Sequence, residues 1–183
     1  MLEWLQNLDG GLLLVIQDLR VPLLDTLFGF YTTLGNHGLL FILISLMLVC
    51  YKPTRKVGLA AGLALILGFL CTNVTLKHLV GRPRPWLDVV GLIPLVNEPG
   101  PNSFPSGHSC AAFAAGISWM LGMKRNWKRL IPFFVALLMA LSRLYVGVHY
   151  PSDVICGSLV GTGCAVLSWK MIKILEHQRK TTL

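Results

Sequence analysis

The chain has 183 residues, of which 54% are hydrophobic and only 13% are charged, and its mean hydropathy is +0.66. Soluble domains carry about 25% charged residues, so this composition excludes a disordered chain, a disulfide-rich secreted module and a coiled coil. A helix that crosses a bilayer needs about 20 apolar residues, and the hydrophobic content therefore predicts an integral membrane protein. The net charge is +8, but Lys and Arg fall in small groups between apolar runs, so no nucleic-acid partner is expected.

The first segment, residues 1–34, is apolar but carries internal charges: Asp9, Asp18, Arg20 and Asp25. A charge at the bilayer centre costs about 2.5–3.5 kcal/mol on insertion scales, so a full crossing is not expected here. Two amphipathic helices at the membrane interface, broken at Pro22, fit the pattern better. Because Glu3 and Asp9 stand where a signal peptide needs positive charge, no cleavable signal peptide is expected.

Five apolar runs follow that are long enough, or nearly so, to cross the membrane: Leu39–Tyr51, Val57–Leu76, Ser109–Met123, Leu130–Val148 and Val154–Ile174. The fold class that they predict is all-α, a polytopic membrane helical bundle of about five to six transmembrane helices with N-terminal interfacial helices. We expect one membrane-embedded domain over residues 1–183, with an interfacial segment 1–34, a catalytic bundle 35–175 and a cytoplasmic tail 176–183. The spacings Gly58/Gly62 and Gly157/Gly161 predict close packing between helices.

Most of the basic residues lie in connections that alternating spans place on one side of the membrane: Lys52, Arg55, Lys56, Lys124, Arg125, Lys128, Arg129, Lys170, Lys173, Arg179 and Lys180. Positive charge favours the cytoplasmic side, so these connections and the C-terminus are predicted to be cytoplasmic. The N-terminus and the loop Gly81–Pro105 are then predicted to be extracytoplasmic.

The other basic residues fall on the opposite side, where the charge rule does not expect them: Arg20, Lys77, Arg82, Arg84 and Arg143. Arg143 stands in the middle of an apolar run, and an arginine there is by default a functional-site hypothesis that needs an anionic partner. The nearby acids are too few to neutralise this group, since only Asp88, Glu98 and Asp153 are candidates. A bound anion is therefore the simplest missing partner.

Three polar stretches fall at the outer ends of predicted spans, so the alternation of spans brings them to one membrane face. They are Lys77–Pro85, Pro105–His108 and Ser142–Asp153. Guanidinium and ammonium groups suit a tetrahedral oxyanion. Where Ser106 and Gly107 open the third span, free backbone N–H groups and the helix dipole also favour an anion.

The histidines of these stretches suggest the chemistry. His149 and Asp153 are four residues apart, and Pro151 can start a helix between them. The carboxylate can then orient one imidazole nitrogen and leave the other free as a nucleophile or general base. His108, beside the anion site, is placed to act as a general acid on a leaving oxygen.

In this order and at these spacings the stretches resemble the signature of the type 2 phosphatidic acid phosphatase and vanadium haloperoxidase superfamily: Lys-x6-Arg-Pro, Pro-Ser-Gly-His and Ser-Arg-x5-His-x3-Asp. The resemblance covers Lys77 to Asp153 and points to the small bacterial membrane lipid phosphatases. It implies that His149 attacks phosphorus and forms a phosphohistidine, that Asp153 orients it, and that His108 protonates the leaving group and later activates water. It implies a phosphate site without metal or cofactor, formed by Lys77, Arg84, Ser106, Gly107 and Arg143.

The sequence has two Arg-Pro pairs, at Arg82 and at Arg84, and only Arg84 fits the family spacing. The role of Arg82 stays open between a supporting or headgroup contact and plain solvation.

The resemblance implies a metal-independent phosphatase of lipid phosphates or diphosphates, and the predicted topology places its active site on the extracytoplasmic face of the plasma membrane. Undecaprenyl diphosphate is the preferred substrate, because an outward-facing site suits carrier recycling during wall synthesis; phosphatidylglycerophosphate or phosphatidate is the alternative. A small anion transporter is the non-enzymatic alternative, but such proteins commonly show paired repeats and sites at the midplane, which this sequence does not. The expected partners are the lipid substrate and the bilayer, and the oligomeric state stays open.

Overall fold

The computed structural model describes residues 2–181, which contain helices and turns and no β-strand. The nine α-helices of this range are α1 (Leu2–Asp18), α2 (Pro22–Leu34), α3 (Leu39–Cys50), α4 (Arg55–Phe69), α5 (Lys77–Val80), α6 (Pro85–Asp88), α7 (Gly107–Gly122), α8 (Ile131–Tyr145) and α9 (Pro151–Thr181). A π-helical stretch, Leu70–Leu76, joins α4 to α5. The all-α class is confirmed. The predicted tail begins as the last turns of α9, and its end, Thr182 and Leu183, lies outside the described residues.

Each predicted apolar run forms a helix, and the N-terminal segment forms the two helices expected from the break at Pro22, which is the first residue of α2. Within the described residues, two helical stretches are long and apolar enough to cross a membrane, Lys52–Val80 and Pro151–Gln178. A third crossing results if α2 and α3, bent by 48° at their junction, count as one span. Helices α7 and α8 have 16 and 15 residues, short of the roughly 20 that a bilayer requires.

Helix α7 is the centre of the bundle and packs against α4, α8 and α9. Its residues are mostly small, and ten of them are buried, so the neighbouring helices approach it closely. Large apolar side chains on the outer helices are exposed instead, among them Leu43, Ile66, Phe134 and Leu159. Such a surface suits contact with lipid, where apolar side chains meet no water.

Three of the four predicted glycine contacts are confirmed. A Cβ at Gly157 or Gly161 would collide with the backbone oxygen of Ser106 or Cys110 on the α7 side, and one at Gly58 would lie 2.6 Å from the Ser45 oxygen. The prediction is wrong for Gly62, whose Cβ would meet none of the described atoms within 4 Å. Because α9 lies this close to α7, the backbone N–H of Ser106 donates to the Asp153 carbonyl at 3.0 Å. The two helices therefore begin side by side.

Candidate active site

Arg84 is held rigidly at the end of the α4–α5 helix. The helix stops at Gly81, which has a left-handed φ of 60°, and prolines on either side of Arg84 fix an extended backbone before α6. The side chain is only 1% exposed. Its Nη1 lies 3.0 Å from the carbonyl oxygen of Val148 and 3.0 Å from Nε2 of His149.

His149 lies in the turn between α8 and α9. The turn is sharp because Gly147 has a φ of 75°, a conformation that a residue with a Cβ adopts only under strain. A Cβ at Gly147 would also lie 2.7 Å from Nη2 of Arg20. The chain therefore reverses immediately after α8 and places His149 beside Arg84, two residues before α9 begins.

The protonation state of His149 follows from its partners. A guanidinium group only donates hydrogen bonds, so Nε2 accepts from Arg84 and the ring proton lies on Nδ1. Nδ1 lies 3.5 Å from Oδ2 of Asp153, too far for a well-formed hydrogen bond, and it has no other hydrogen-bond partner among the described residues. Burial, and then the positive charges of Arg84 and Arg143, hold the pKa of His149 well below its ordinary value. The ring is therefore neutral, and its Nε2 lone pair faces the cationic side of the site.

Asp153, in the first turn of α9, is fully buried and fixed by several donors. Its Oδ2 accepts from the backbone N–H of Tyr150 at 3.0 Å, and its Oδ1 accepts from Arg82 at 2.9 Å. The carboxylate therefore cannot rotate away from His149 without losing both bonds.

Arg143 and Arg84 share one carboxylate. Arg143 is fully buried, and its two terminal nitrogens donate to Thr32 of α2 and to Glu98 of the long loop before α7. The other oxygen of Glu98 lies 3.5 Å from Arg84. Burial alone would raise the pKa of Glu98, but Arg143 and Arg84 lower that pKa below its ordinary value. The two arginines thus hold an anion between them.

Arg143 lies at the end of α8, in agreement with the position of the stretch Ser142–Asp153 at the outer end of a predicted span. Although it stands in the middle of an apolar run of the sequence, α8 ends at Tyr145 and Arg143 is in its last turn. A cation in the last turn of a helix is favoured by the helix dipole. The residue is therefore part of the polar end of the bundle and not of its apolar middle.

The start of α7 carries Ser106, Gly107 and His108. Ser106 is the N-cap, and its hydroxyl accepts from the backbone N–H of Ser109 at 3.3 Å. A Cβ at Gly107 would lie 2.8 Å from Oδ1 of Asn73, so a larger residue here would require the Asn73 side chain to move. Nε2 of His108 lies 3.1 Å from Oδ1 of Asn36, in the connection between α2 and α3. The predicted general acid is thus oriented by a polar side chain from the N-terminal third of the chain.

Lys77, at the start of α5, completes the predicted group. Its backbone carbonyl accepts from Asn102 at 3.2 Å, which ties the long loop to the helix. Its ammonium group is half-buried and interacts electrostatically with Arg84, Glu98 and Arg143. All eight predicted site residues therefore belong to one end of the bundle.

Arg82 and Arg20 have partners within the protein, whereas a bound anion was expected for the whole basic group. Arg82 makes ion pairs of 2.9 Å with both Asp9 and Asp153, so its solvated alternative is wrong. Arg20 donates to the backbone carbonyls of Tyr145 and Ile93. For Arg82 the prediction that the nearby acids are too few is wrong, because it did not count Asp9 among them, whereas the partners of Arg20 are backbone carbonyls.

Four contributors were missed in the sequence: Asp9, Thr32, Asn36 and the bridging role of Glu98. Asn36 gave a weak signal, since it stands between Gly35 and Gly38 where two apolar helices meet. Nothing in the sequence indicates that Thr32 faces Arg143. Across residues 2–181, no group of three or more His, Cys, Asp or Glu side chains is placed to hold a metal ion.

Comparison with known proteins identifies this arrangement. The PAP2 superfamily matches residues 57–176, and the chain belongs to that superfamily. An undecaprenyl-diphosphatase from Sulfolobus acidocaldarius is 30% identical over 162 residues, which are 85% of this chain and 78% of the relative. The chain is a membrane lipid phosphatase, a hydrolase, as the resemblance in its three motifs implies.

Two solved structures share the fold. The crystal structure of Aquifex aeolicus LpxE has a TM-score of 0.77 and 30% identity, covering 87% of this chain and 93% of that one. A PAP2-type phosphatidylglycerolphosphate phosphatase from Bacillus subtilis has a TM-score of 0.71 and 27% identity, covering 94% and 86%. The bundle as a whole, and not only the motif region, is therefore that of the membrane branch.

Replacing Glu98 by glutamine is expected to tighten inhibition by vanadate by about tenfold, because a carboxylate that competes for Arg84 and Arg143 is removed. The inhibition constant for vanadate, measured in detergent with an aryl phosphate substrate, tests this. Glu176→Gln is the matched control, since that acid pairs with Lys56 at the other end of α9. Equal inhibition constants for both variants and the unaltered chain would show that Glu98 does not compete with the anion.

Proposed function

We propose that this chain is a metal-independent phosphatase of lipid phosphates or diphosphates that acts at the extracytoplasmic membrane face through a phosphohistidine on His149. The observation that carries the proposal is the neutral, buried His149 ring held between Arg84 and Asp153. An imidazole with a carboxylate behind one nitrogen is oriented for attack by the other, and the positive charge that develops on it is stabilised. Arg84 and Arg143 already share the two oxygens of Glu98, a geometry that also suits two phosphoryl oxygens.

The proposed reaction has two steps. Nε2 of His149 bonds to phosphorus while the bond from phosphorus to the leaving oxygen breaks, and that oxygen takes a proton from the imidazolium form of His108. Water then attacks phosphorus and gives a proton to His108, the P–N bond breaks, and its electron pair returns to Nε2 as inorganic phosphate leaves. The phosphoryl charge is carried throughout by the proposed phosphate-binding residues: Lys77, Arg84, Ser106, Gly107 and Arg143.

The proposed substrate is undecaprenyl diphosphate, and phosphatidylglycerophosphate or phosphatidate is the alternative. The Sulfolobus relative, matched over most of both chains, supports the first, and the Bacillus structure supports the second. Each is a phosphate ester on a long apolar tail. The apolar outer helices would keep such a tail in lipid while the headgroup enters the polar end of the bundle.

Phosphate release by the purified protein in detergent, across a panel of these lipids, tests the proposal. We expect undecaprenyl diphosphate to be hydrolysed fastest, with a rate that a strong chelator does not lower. The His149→Ala variant is the control for contaminating phosphatase. Loss of release in EDTA with recovery on addition of magnesium would contradict the metal-independent mechanism, and faster release from phosphatidylglycerophosphate would favour the alternative substrate.

We further propose a bundle of five to six spans with interfacial α1 and α2, an extracytoplasmic loop Gly81–Pro105 and a cytoplasmic C-terminus. The basic connection 124–129 and the basic residues late in α9 support this orientation. The polar end of the bundle carries all the motif residues and lies opposite these basic groups along α9. The active site would then open to the outer leaflet.

Cysteine labelling in intact cells tests the orientation, on a background without the five native cysteines. Val90→Cys lies in the long loop at a position that is 94% exposed, and we expect a membrane-impermeant reagent to label it. Asn126→Cys, between α7 and α8, is expected to react only after the membrane is permeabilised. Labelling of Asn126→Cys in intact cells would reverse the orientation.

A further inference from the structure

Asp9 lies far from the motifs in sequence and outside the residues that match the superfamily, yet it contacts the site. It belongs to α1 and is only 4% exposed. Its Oδ2 accepts from Nη2 of Arg82 at 2.9 Å and from the Ser152 hydroxyl, and its Oδ1 accepts from the Ser152 backbone N–H at 3.3 Å. A carboxylate from α1 therefore covers the N-terminus of α9, where the helix dipole favours an anion.

Arg82 links this carboxylate to Asp153. Its Nη1 donates to Asp153 at 2.9 Å and to the Ser152 hydroxyl at 2.6 Å, while its other terminal nitrogen bonds to Asp9. The guanidinium carbon lies 3.8 Å from the centre of the Tyr150 ring, which holds the group flat. One arginine is thus shared between two buried carboxylates.

The charge balance of this cluster bears on His149. Asp153 with Arg82 alone would be neutral, and a neutral pair gives little support to the positive charge that develops on the ring when Nε2 attacks phosphorus. With Asp9 the cluster of two carboxylates and one guanidinium carries a net charge of −1. Opposite charges at short range inside a protein interact far more strongly than in water. The second carboxylate therefore preserves the ability of Asp153 to stabilise the positive charge that develops on the His149 ring.

We propose that Asp9 is a positioning residue of the phosphatase reaction, which shares Arg82 with Asp153 and so maintains a net negative charge behind His149. The inference rests on the proposed phosphohistidine mechanism. It makes α1 a part of the catalytic apparatus and not only an interfacial anchor. Asp9 touches neither the phosphate-binding arginines Arg84 and Arg143 nor the reacting atoms, so it should act on the rate of attack and not on phosphate binding.

The test is Asp9→Asn in the full-length chain, which keeps the shape and removes the charge. We expect kcat for an aryl phosphate, and the single-turnover rate of phosphoenzyme formation, to fall about 10- to 100-fold, the range seen for carboxylates behind metal-bound histidines. KM and the inhibition constant for vanadate should change less than about twofold, since phosphate contacts are intact. Asp18→Asn, an exposed acid of the same helix, is the matched control and should behave as the unaltered chain.

Two further variants separate positioning from folding. Asp9→Glu keeps the charge and should recover part of the rate. If Asp9→Asn does not fold, Ser152→Ala takes its place as the test. This variant removes one link to Asp9 and Arg82 without leaving a buried charge unpaired, and it should also lower kcat. Adding Arg82→Gln to Asp9→Asn should give less than the sum of the two separate losses, because both act through Asp153.

The outcomes distinguish this inference from the proposed function. The role of Asp9 is overturned if folded Asp9→Asn has an unchanged kcat, or if its main change is a larger inhibition constant for vanadate. Either result leaves the phosphohistidine mechanism standing. If His149→Ala keeps the turnover of the unaltered chain, the proposed mechanism fails, and this inference fails with it. A kcat loss confined to Asp9→Asn and Ser152→Ala, with Asp18→Asn unaffected, supports both.

Discussion

Replacing His149 with alanine is expected to abolish phosphoenzyme formation and to lower turnover by about 10⁴- to 10⁶-fold, the range for removing a member of a nucleophilic triad. Binding should persist, because Arg84 and Arg143 keep their guanidinium groups. The measurement is rapid-quench trapping of label from an aryl phosphate, together with steady-state turnover of the lipid.

His78→Ala is the matched control for the His149 variant. His78 is exposed, and its Nδ1 lies 3.1 Å from the carbonyl oxygen of Val74 one turn earlier in the chain, so turnover should be unchanged. Acid-labile, base-stable label on the unaltered protein would identify a phosphohistidine. If His149→Ala formed as much labelled phosphoenzyme as the unaltered protein, the nucleophile would be another residue and the mechanism would be contradicted.

Replacing His108 with alanine is expected to slow phosphoenzyme formation from a lipid monoester by about 10²- to 10⁴-fold, the usual contribution of general acid catalysis. An alkoxide leaving group has a high pKa and needs the proton, whereas a nitrophenolate leaves with little assistance. Phosphoenzyme formation from the activated aryl phosphate should therefore survive in this variant. Because the same ring would activate water in the second step, the phosphohistidine should accumulate.

The comparison of the two leaving groups distinguishes a proton donor from a structural residue. A residue that only supports the fold at the start of α7 would lower both rates by the same factor. Asn36→Ala, which removes the 3.1 Å contact to His108, should show a smaller loss with the same leaving-group dependence. Label that appears in His149→Ala but never in His108→Ala would mean that the two roles are reversed.

Motif spacing indicated which residues would lie together at one end of the bundle, because the motifs fix local structure. Proline after Arg84 and glycine before it dictate where the helix ends, and Pro151 starts the helix that brings Asp153 behind His149. The apolar runs predicted helices for the same reason, since a long apolar segment in lipid must satisfy its own backbone. Glycine spacing alone does not predict helix contacts. Gly62 follows Gly58 at the same four-residue spacing as Gly157 and Gly161, but whether a glycine is in contact depends on where the partner helix lies.

Composition, periodicity and motif spacing are local properties, and they were enough to predict the class of protein, its helices and a group of eight residues that lies at one end of the bundle. The partners of the charges follow only from the packing of the helices: Glu98 between Arg84 and Arg143, Asn36 on His108, and Asp9 on Arg82. These contacts join residues separated by 14 to 73 positions in the chain. The reason is physical: a buried charge is stable only with a partner, and which acid or amide meets it depends on how the helices pack, which no local pattern encodes.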